Sequence, residues 1–221
     1  MKPVVVLRPE PGASATLERA QALGLGAVSL PLFVVKPLEW QAPDPVAFDA
    51  LLLTSANAPR LAGRDLQRLG MLPVHAVGNA TAAAARAAGL RVTTVGTAGV
   101  SELLGSLPPG QRLLHLCGED RTDAVANQAI TALPIYRSEP IEYPPGLERL
   151  HGAVALVHSP RAGARLAALM AKRDDVAVAA ISSAAARACG TGWAAIGAGS
   201  EPTDAALLSL AARLCQQLDP K

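Results

Sequence analysis

The chain has 221 residues, half of them hydrophobic and 17% charged, a balance that builds a core and excludes a disordered chain. A net charge of +2 without any Lys/Arg run excludes a phosphate-tracking surface, so no nucleic-acid partner is expected. Aromatics make up only 3%, so the core must be aliphatic, which suits helices packed on parallel Val and Leu strands.

The N-terminus, MKPVVVLRPEPG, carries an apolar run too short for a signal-peptide core. No later stretch is long enough to span a bilayer, so a cytoplasmic protein without a membrane partner is expected. In chain order, short Val/Leu/Ile runs alternate with Ala-rich stretches of helical spacing. The strands are expected at Val4–Arg8, Ala27–Leu30, Ala50–Thr54, Val74–Val77, Arg91–Val95, Leu113–Leu116, Ala153–His158, Val176–Ile181 and Ala194–Gly197. The helices are expected at Ala13–Leu23, Asn57–Leu69, Asn79–Ala88, Ser101–Leu107, Asp120–Ala132, Arg161–Ala171, Ser183–Cys189 and Thr203–Leu218. This alternation predicts βαβ units and an α/β fold with parallel sheets.

The chain repeats itself. LLLTSANAPRLA resembles ALVHSPRAGARLA, and AVGNATAAAA resembles AAISSAAARA. Ser55 matches Ser159 and Val77 matches Ile181, both at an offset of 104 (159 − 55, 181 − 77). LPLFVVKPLEW and LPIYRSEPIEY match at 103, pairing Phe33 with Tyr136 and Trp40 with Tyr143. VSELLGSL and TDAALLSL also match at 103. Four ordered matches at nearly one offset predict an internal duplication. The repeated LPx₅P segments have prolines at both ends, which favour extended chain and read as two linkers. The expected division is one discontinuous lobe, 1–32 plus 146–221, a second lobe, 41–133, and linkers at 33–40 and 134–145. The cleft between two such lobes is the default ligand site.

Thr54, Ser55 and Ser159 fall where strands end and helices begin, which is where open α/β sheets bind ligands. Helix N-termini there favour anions, although simple N-capping by Ser and Thr explains the same residues. Gly78-Asn79-Ala80-Thr81 forms a strand-to-helix turn without a GxGxxG or Walker signature, which disfavours nucleotides. His75, His115, His151 and His158 have no metal-ligand spacing. A His158–Ser159 pair is opposed by the alternation of adjacent strand residues to opposite faces. Glu119, Asp120, Arg121 and Asp123 read as ordinary first-turn helix residues, and Arg8 as either a carboxylate partner or a solvated arginine. Cys117, Cys189 and Cys215 form no CxxC pair and read as buried small hydrophobes in a reducing compartment. Tyr136 either reaches a ligand with its phenol or packs a hinge.

TSANA at Thr54–Ala58, AVGNATA at Ala76–Ala82, IYRSEP at Ile135–Pro140, HSPRA at His158–Ala162 and EPTDAALL at Glu201–Leu208 together resemble the uroporphyrinogen-III synthases. The resemblance implies two flavodoxin-like lobes joined by two linkers. It implies cyclisation of linear hydroxymethylbilane to uroporphyrinogen III, with inversion of ring D and loss of water. It implies no metal or organic cofactor, a monomer, and substrate handed over by the preceding deaminase. Tyr136 is then the catalytic residue, assisting departure of the ring-A hydroxyl. Substrate binding would involve Arg8, Thr54, Ser55, Ala56, Gly78, Asn79, Thr81, Gly118, Ser159, Pro160, Ser182 and Ser183. The sequence departs from the family where Ser182 replaces a glycine, Ala185 a threonine and Cys117 an arginine. Ser182 or Ser183 would supply the missing hydroxyl. The azafulvene left after hydroxyl loss reacts readily, so catalysis by orientation fits a sequence without a triad or carboxylate dyad. The alternative is a non-catalytic two-lobe protein that binds or senses a small anion.

Overall fold

The computed structural model describes residues 2–120 and 127–217. In chain order its elements are β1 (Val4–Val6), α1 (Gly12–Ala22), β2 (Ala27–Ser29), β3 (Phe33–Pro37), β4 (Ala50–Leu53), α2 (Asn57–Leu61), β5 (Val74–Val77), α3 (Asn79–Ala87), β6 (Val92–Gly96), α4 (Val100–Ser106) and β7 (Arg112–Gly118). They continue with β8 (Ala129–Pro140), β9 (Val154–Val157), α5 (Pro160–Leu169), β10 (Ala177–Ala180), α6 (Ser183–Ala188), β11 (Ala195–Ala198) and α7 (Asp204–Gln217). The chain separates into two compact units, Met1–Val34 with Pro140–Lys221, and Val35–Glu139.

In the first unit, five strands lie in the order β11-β10-β9-β1-β2, with parallel pairing throughout. The central strands β1, β9 and β10 are buried along their whole length, as a sheet covered on both faces requires. Their side chains alternate between two cores. Val5, Leu7, Ala155, Val157, Val178 and Ala180 meet Leu166, Ala185 and Cys189 on the α5/α6 face. Val4, Val6, Val154, Leu156, Ala177 and Ala179 meet Ala13, Ala20, Leu207, Ala211 and Leu214 on the α1/α7 face.

In the second unit, six strands lie in the order β3-β8-β7-β4-β5-β6. The pairs from β8 to β6 are parallel. Leu51, Leu53, Val74, Ala76, Leu114 and Leu116 pack with Ala58, Ala62, Leu66 and Ala82 on one face. Ala50, Leu52 and Leu113 pack with Leu103, Leu104 and Leu107 of the α4 region on the other. Strands matched by the 103–104 offset hold the same places in the two sheets: β9 corresponds to β4, β10 to β5 and β11 to β6.

Two expectations are corrected. The helix expected over Asp120–Ala132 is not one at its end, because Ala129–Ala132 opens β8 and pairs in parallel with Arg112–His115. Residues 121–126 of that span lie outside the described residues. The helix expected over Asn57–Leu69 stops at Leu61, and a 3₁₀ segment follows from Gly63, whose φ of 67° no continuing α-helix tolerates. The two segments read as linkers are extended and carry sheet strands, 33–40 containing β3 and Pro134–Pro140 belonging to β8, and the boundaries between the two units, Val34/Val35 and Glu139/Pro140, fall within them. Among the described residues, no helix is long and apolar enough to cross a membrane.

Helix α5 approaches α6 so closely that a Cβ on Gly163 would stand 2.7 Å from the Ala185 carbonyl oxygen and 2.9 Å from Cys189 Sγ. Gly105 in α4 has nothing within 4 Å of that position. Gly163→Ala should therefore lower the melting temperature by roughly 3–10 °C, since overpacking costs about 1–3 kcal/mol. Gly105→Ala should leave it unchanged or raise it by about 2 °C through helix propensity. Calorimetry of the two variants checks the contrast in sign.

Candidate active site

The carboxyl ends of the second unit's central strands gather polar groups from four segments. Thr54 and Ser55 follow β4, Gly78–Thr81 follow β5, Gly118 ends β7, and Tyr136 lies on β8 opposite Gly118 in the register. On β7, His115 sits opposite Leu52, two residues before Thr54 on β4, so the His115 and Thr54 side chains share a face. His115 Nε2 lies 2.9 Å from Thr54 Oγ1, and the ring is buried.

Ser55 Oγ accepts a hydrogen bond from the Asn57 N–H at 3.2 Å, ahead of Ala56 and α2. The Tyr136 ring lies against Gly118: a Cβ there would stand 2.8 Å from Cε2 and 3.2 Å from the phenol oxygen. Only glycine leaves room for the ring in this position. Burial raises the Tyr136 phenol above its ordinary value of 10.0, and hydrogen bonding with Ser55 and the Gly118 backbone offsets only part of that rise. At neutral pH the phenol is therefore a hydrogen-bond donor.

Helix α3 begins at Gly78, whose φ of 83° reverses the chain, and no side chain caps it. The first amides of α3, those of Asn79, Ala80 and Thr81, have no carbonyl one turn earlier within the helix to bind. The Thr81 side chain itself is buried on the Ala82–Ala85 side of the helix.

In the first unit, the serines at the matching strand ends are N-caps. Ser159 Oγ accepts from the Ala162 N–H at 3.1 Å, with Pro160 as the first helical residue. Ser182 Oγ accepts from the Ala185 N–H at 3.2 Å, and Ser183 opens α6. Each capping hydroxyl keeps its proton for a further partner. Arg8, two residues past β1, reaches Asp204 at the start of α7, with Nη1 3.4 Å from Oδ1. Asp204 Oδ2 also accepts from the Thr16 hydroxyl at 2.8 Å and Arg19 Nη1 at 2.6 Å. His158 Nε2 stands 3.3 Å from Oδ1. Burial alone would raise the Asp204 carboxyl, but hydrogen bonds from His158 and Thr16 and the charges of His158 and Arg8 outweigh it. The carboxyl is held well below the usual carboxylate range.

The cysteines Cys117, Cys189 and Cys215 are buried and form no disulfide with one another, and burial pushes the Cys189 thiol up to about 11, far from a thiolate at neutral pH. Among the described residues, no group of three or more His, Cys, Asp or Glu side chains could hold a metal ion.

A family model described as uroporphyrinogen-III synthase HemD matches residues 14–209. The chain belongs to the uroporphyrinogen-III synthase family. It is thereby an enzyme of tetrapyrrole, and so heme, biosynthesis. Among solved structures, the uroporphyrinogen-III synthetase of Helicobacter pylori 26695 is similar at a TM-score of 0.65 and 18% identity, over 97% of this chain and 100% of that one. A mutant uroporphyrinogen III synthase from the extremely thermophilic bacterium Thermus thermophilus is similar at 0.51 and 18% identity, over 98% and 100%. At that identity the likeness is one of fold. No curated protein matches the sequence.

Two residues of this uroporphyrinogen-III synthase family member escaped the sequence reading. His115 is read from sequence only against metal-ligand spacing, and Asp204 enters only as part of the EPTDAALL motif. Their partners lie 61 and up to 196 residues away, and no local pattern reports a contact of that kind. The nearest signal was the hydroxyl of Thr54 at a strand end beside a strand carrying a buried histidine.

The packing of Tyr136 on Gly118 is open to titration. In a Tyr143→Phe background the ultraviolet phenolate signal reads Tyr136 alone, since the chain has two tyrosines. Its midpoint should lie above 10.0, and Gly118→Ala, which expels the ring toward solvent, should move it back toward that value. A midpoint unmoved by Gly118→Ala would show that the missing Cβ is not what admits the ring.

Proposed function

We propose that this chain closes hydroxymethylbilane to uroporphyrinogen III with inversion of ring D, acting as a carbon–oxygen lyase. The observation that carries this reading is the half-buried, protonated Tyr136 phenol seated on Gly118 beside Ser55. The Asn57 N–H fixes Ser55 Oγ. The Ser55 hydroxyl is then free to donate to the Tyr136 oxygen, which leaves the phenol proton for the substrate. In this reading the phenol donates to the ring-A hydroxyl as its C–O bond breaks, and the oxygen departs as water. The resulting azafulvenium carbon bonds to the substituted carbon of ring D, the bond from that carbon to the ring-C methylene breaks, and the freed methylene rejoins ring D at its unsubstituted carbon, whose proton returns to the Tyr136 phenolate. A donor that meets charge developing on the leaving oxygen helps the transition state more than the ground state.

The remaining work is to hold a flexible polycarboxylate in the folded shape that brings those carbons together. The uncapped first turn of α3 suits a substrate carboxylate, since its amides point outward and the helix dipole favours an anion. Thr54, held by His115, is a further donor. We read the protein as a cytoplasmic monomer that takes its substrate from the preceding deaminase.

Two substitutions separate a chemical role for Tyr136 from a packing role. Tyr136→Phe should lower kcat for type III isomer formation by about 10²-fold or somewhat less, with KM and melting temperature near wild type. Hydroxyl loss also proceeds unaided, which sets the effect at the low end of general-acid contributions. Tyr136→Ala should lose activity and several degrees of melting temperature together, because the ring packs against the core. Full activity in Tyr136→Phe would remove the phenol from the mechanism.

A further inference from the structure

The first unit's sheet changes winding direction between β1 and β9. From β9 the chain passes through α5 to β10 on one side, and from β1 through α1 to β2 on the other. Helix α5 packs on one face and α1 on the opposite face. The two helices therefore diverge above the carboxyl ends of β1 and β9, and ligands of open α/β sheets bind at such a point.

The side chains at that point follow from the register. Val4, Val5 and Val6 pair with Val154, Ala155 and Leu156, and continuing by two residues sets Arg8 beside His158. Both extend the face of Val6 and Leu156, which is the α1/α7 face. Helix α7 delivers Asp204 to the same place, and α1 delivers Thr16 and Arg19. Two guanidiniums thus surround one carboxylate, and the cluster retains positive charge.

The contacts are unequal. Asp204 is 12% exposed, and its Oδ2 is taken by Thr16 and Arg19 at 2.8 and 2.6 Å. Arg8 is 36% exposed, and among the described residues its one ion pair is the 3.4 Å contact with Oδ1. Its guanidinium lies where a Cβ on Gly12 would be, so the glycine that opens α1 gives it room. His158, 7% exposed, has an Nδ1 without a hydrogen-bond partner among the described residues.

We infer that Asp204 is a positioning residue that holds Arg8 at the β1 strand end, where the guanidinium receives a carboxylate of the tetrapyrrole. This rests on the reading of the substrate as a polycarboxylate. The spare donors of Arg8 and the surplus positive charge suit a carboxylate, which a planar guanidinium binds in a bidentate manner.

The test measures KM and kcat for hydroxymethylbilane, and separately the dissociation constant of the oxidised product analogue uroporphyrin III by fluorescence quenching. Wild-type conversion to the type III isomer checks the functional reading. The uroporphyrin III affinities judge Arg8 and Asp204 whether or not turnover is seen. Arg8→Gln should raise KM and the dissociation constant about tenfold with kcat within twofold, and Arg8→Lys should recover part of the loss. Asp204→Asn should weaken binding about fivefold, and the double variant should bind no worse than Arg8→Gln, because Asp204 acts through Arg8. Should Asp204→Asn fail to fold, Asp204→Glu takes its place, with a smaller loss expected. The proposal is overturned if Arg8→Gln leaves both constants within twofold of wild type. It is equally overturned if the Asp204 variant lowers only the melting temperature, or if its effect multiplies that of Arg8→Gln.

Discussion

Parallel strands all finish on the same edge of their sheet, and where the winding reverses, two neighbouring strands send their chains away over opposite faces. That constraint fixes where this protein can place polar side chains without burying them unpaired. In one unit the reversal lies between β1 and β9, with Arg8 and His158 at the strand ends. In the other it lies between β4 and β7, with Thr54, His115 and Gly118 there. Below those ends the central strands β1, β9 and β10 of one sheet and β4 of the other are aliphatic and buried along their whole length.

Two kinds of polar residue occupy that edge. Ser159 and Ser182 spend their oxygens on the amides of Ala162 and Ala185 and keep α5 and α6 in place. Gly78 leaves the start of α3 without a side-chain cap. The same contrast separates Asp204, saturated by its neighbours, from half-exposed Arg8.

Much of the fold was legible because local and global preferences agree. Strand β5 runs over Val74–Val77, as its apolar run indicates, and α3 starts at Asn79 after the only residue that tolerates its turn. The reading failed where they disagree. Ala129–Ala132 continues an Ala-rich stretch with helical spacing, yet it lies beside β7, and pairing with that strand overrides propensity. Gly63 could have been read as a helix stop within Asn57–Leu69, since its positive φ ends α2 there. The strand-end hydroxyls were found because strand-to-helix turns repeat in the sequence. The partners that orient them or complete the charge cluster, His115 and Asp204, come from distant segments, so only the folded register identifies them.

The ratio of isomers formed from hydroxymethylbilane by the purified protein tests this account most directly. Unassisted, the bilane closes to the type I isomer, whereas an edge that folds it onto ring D yields type III. The account predicts a product dominated by the type III isomer, at a rate proportional to protein concentration. A product of type I alone, formed no faster than without protein, would contradict it.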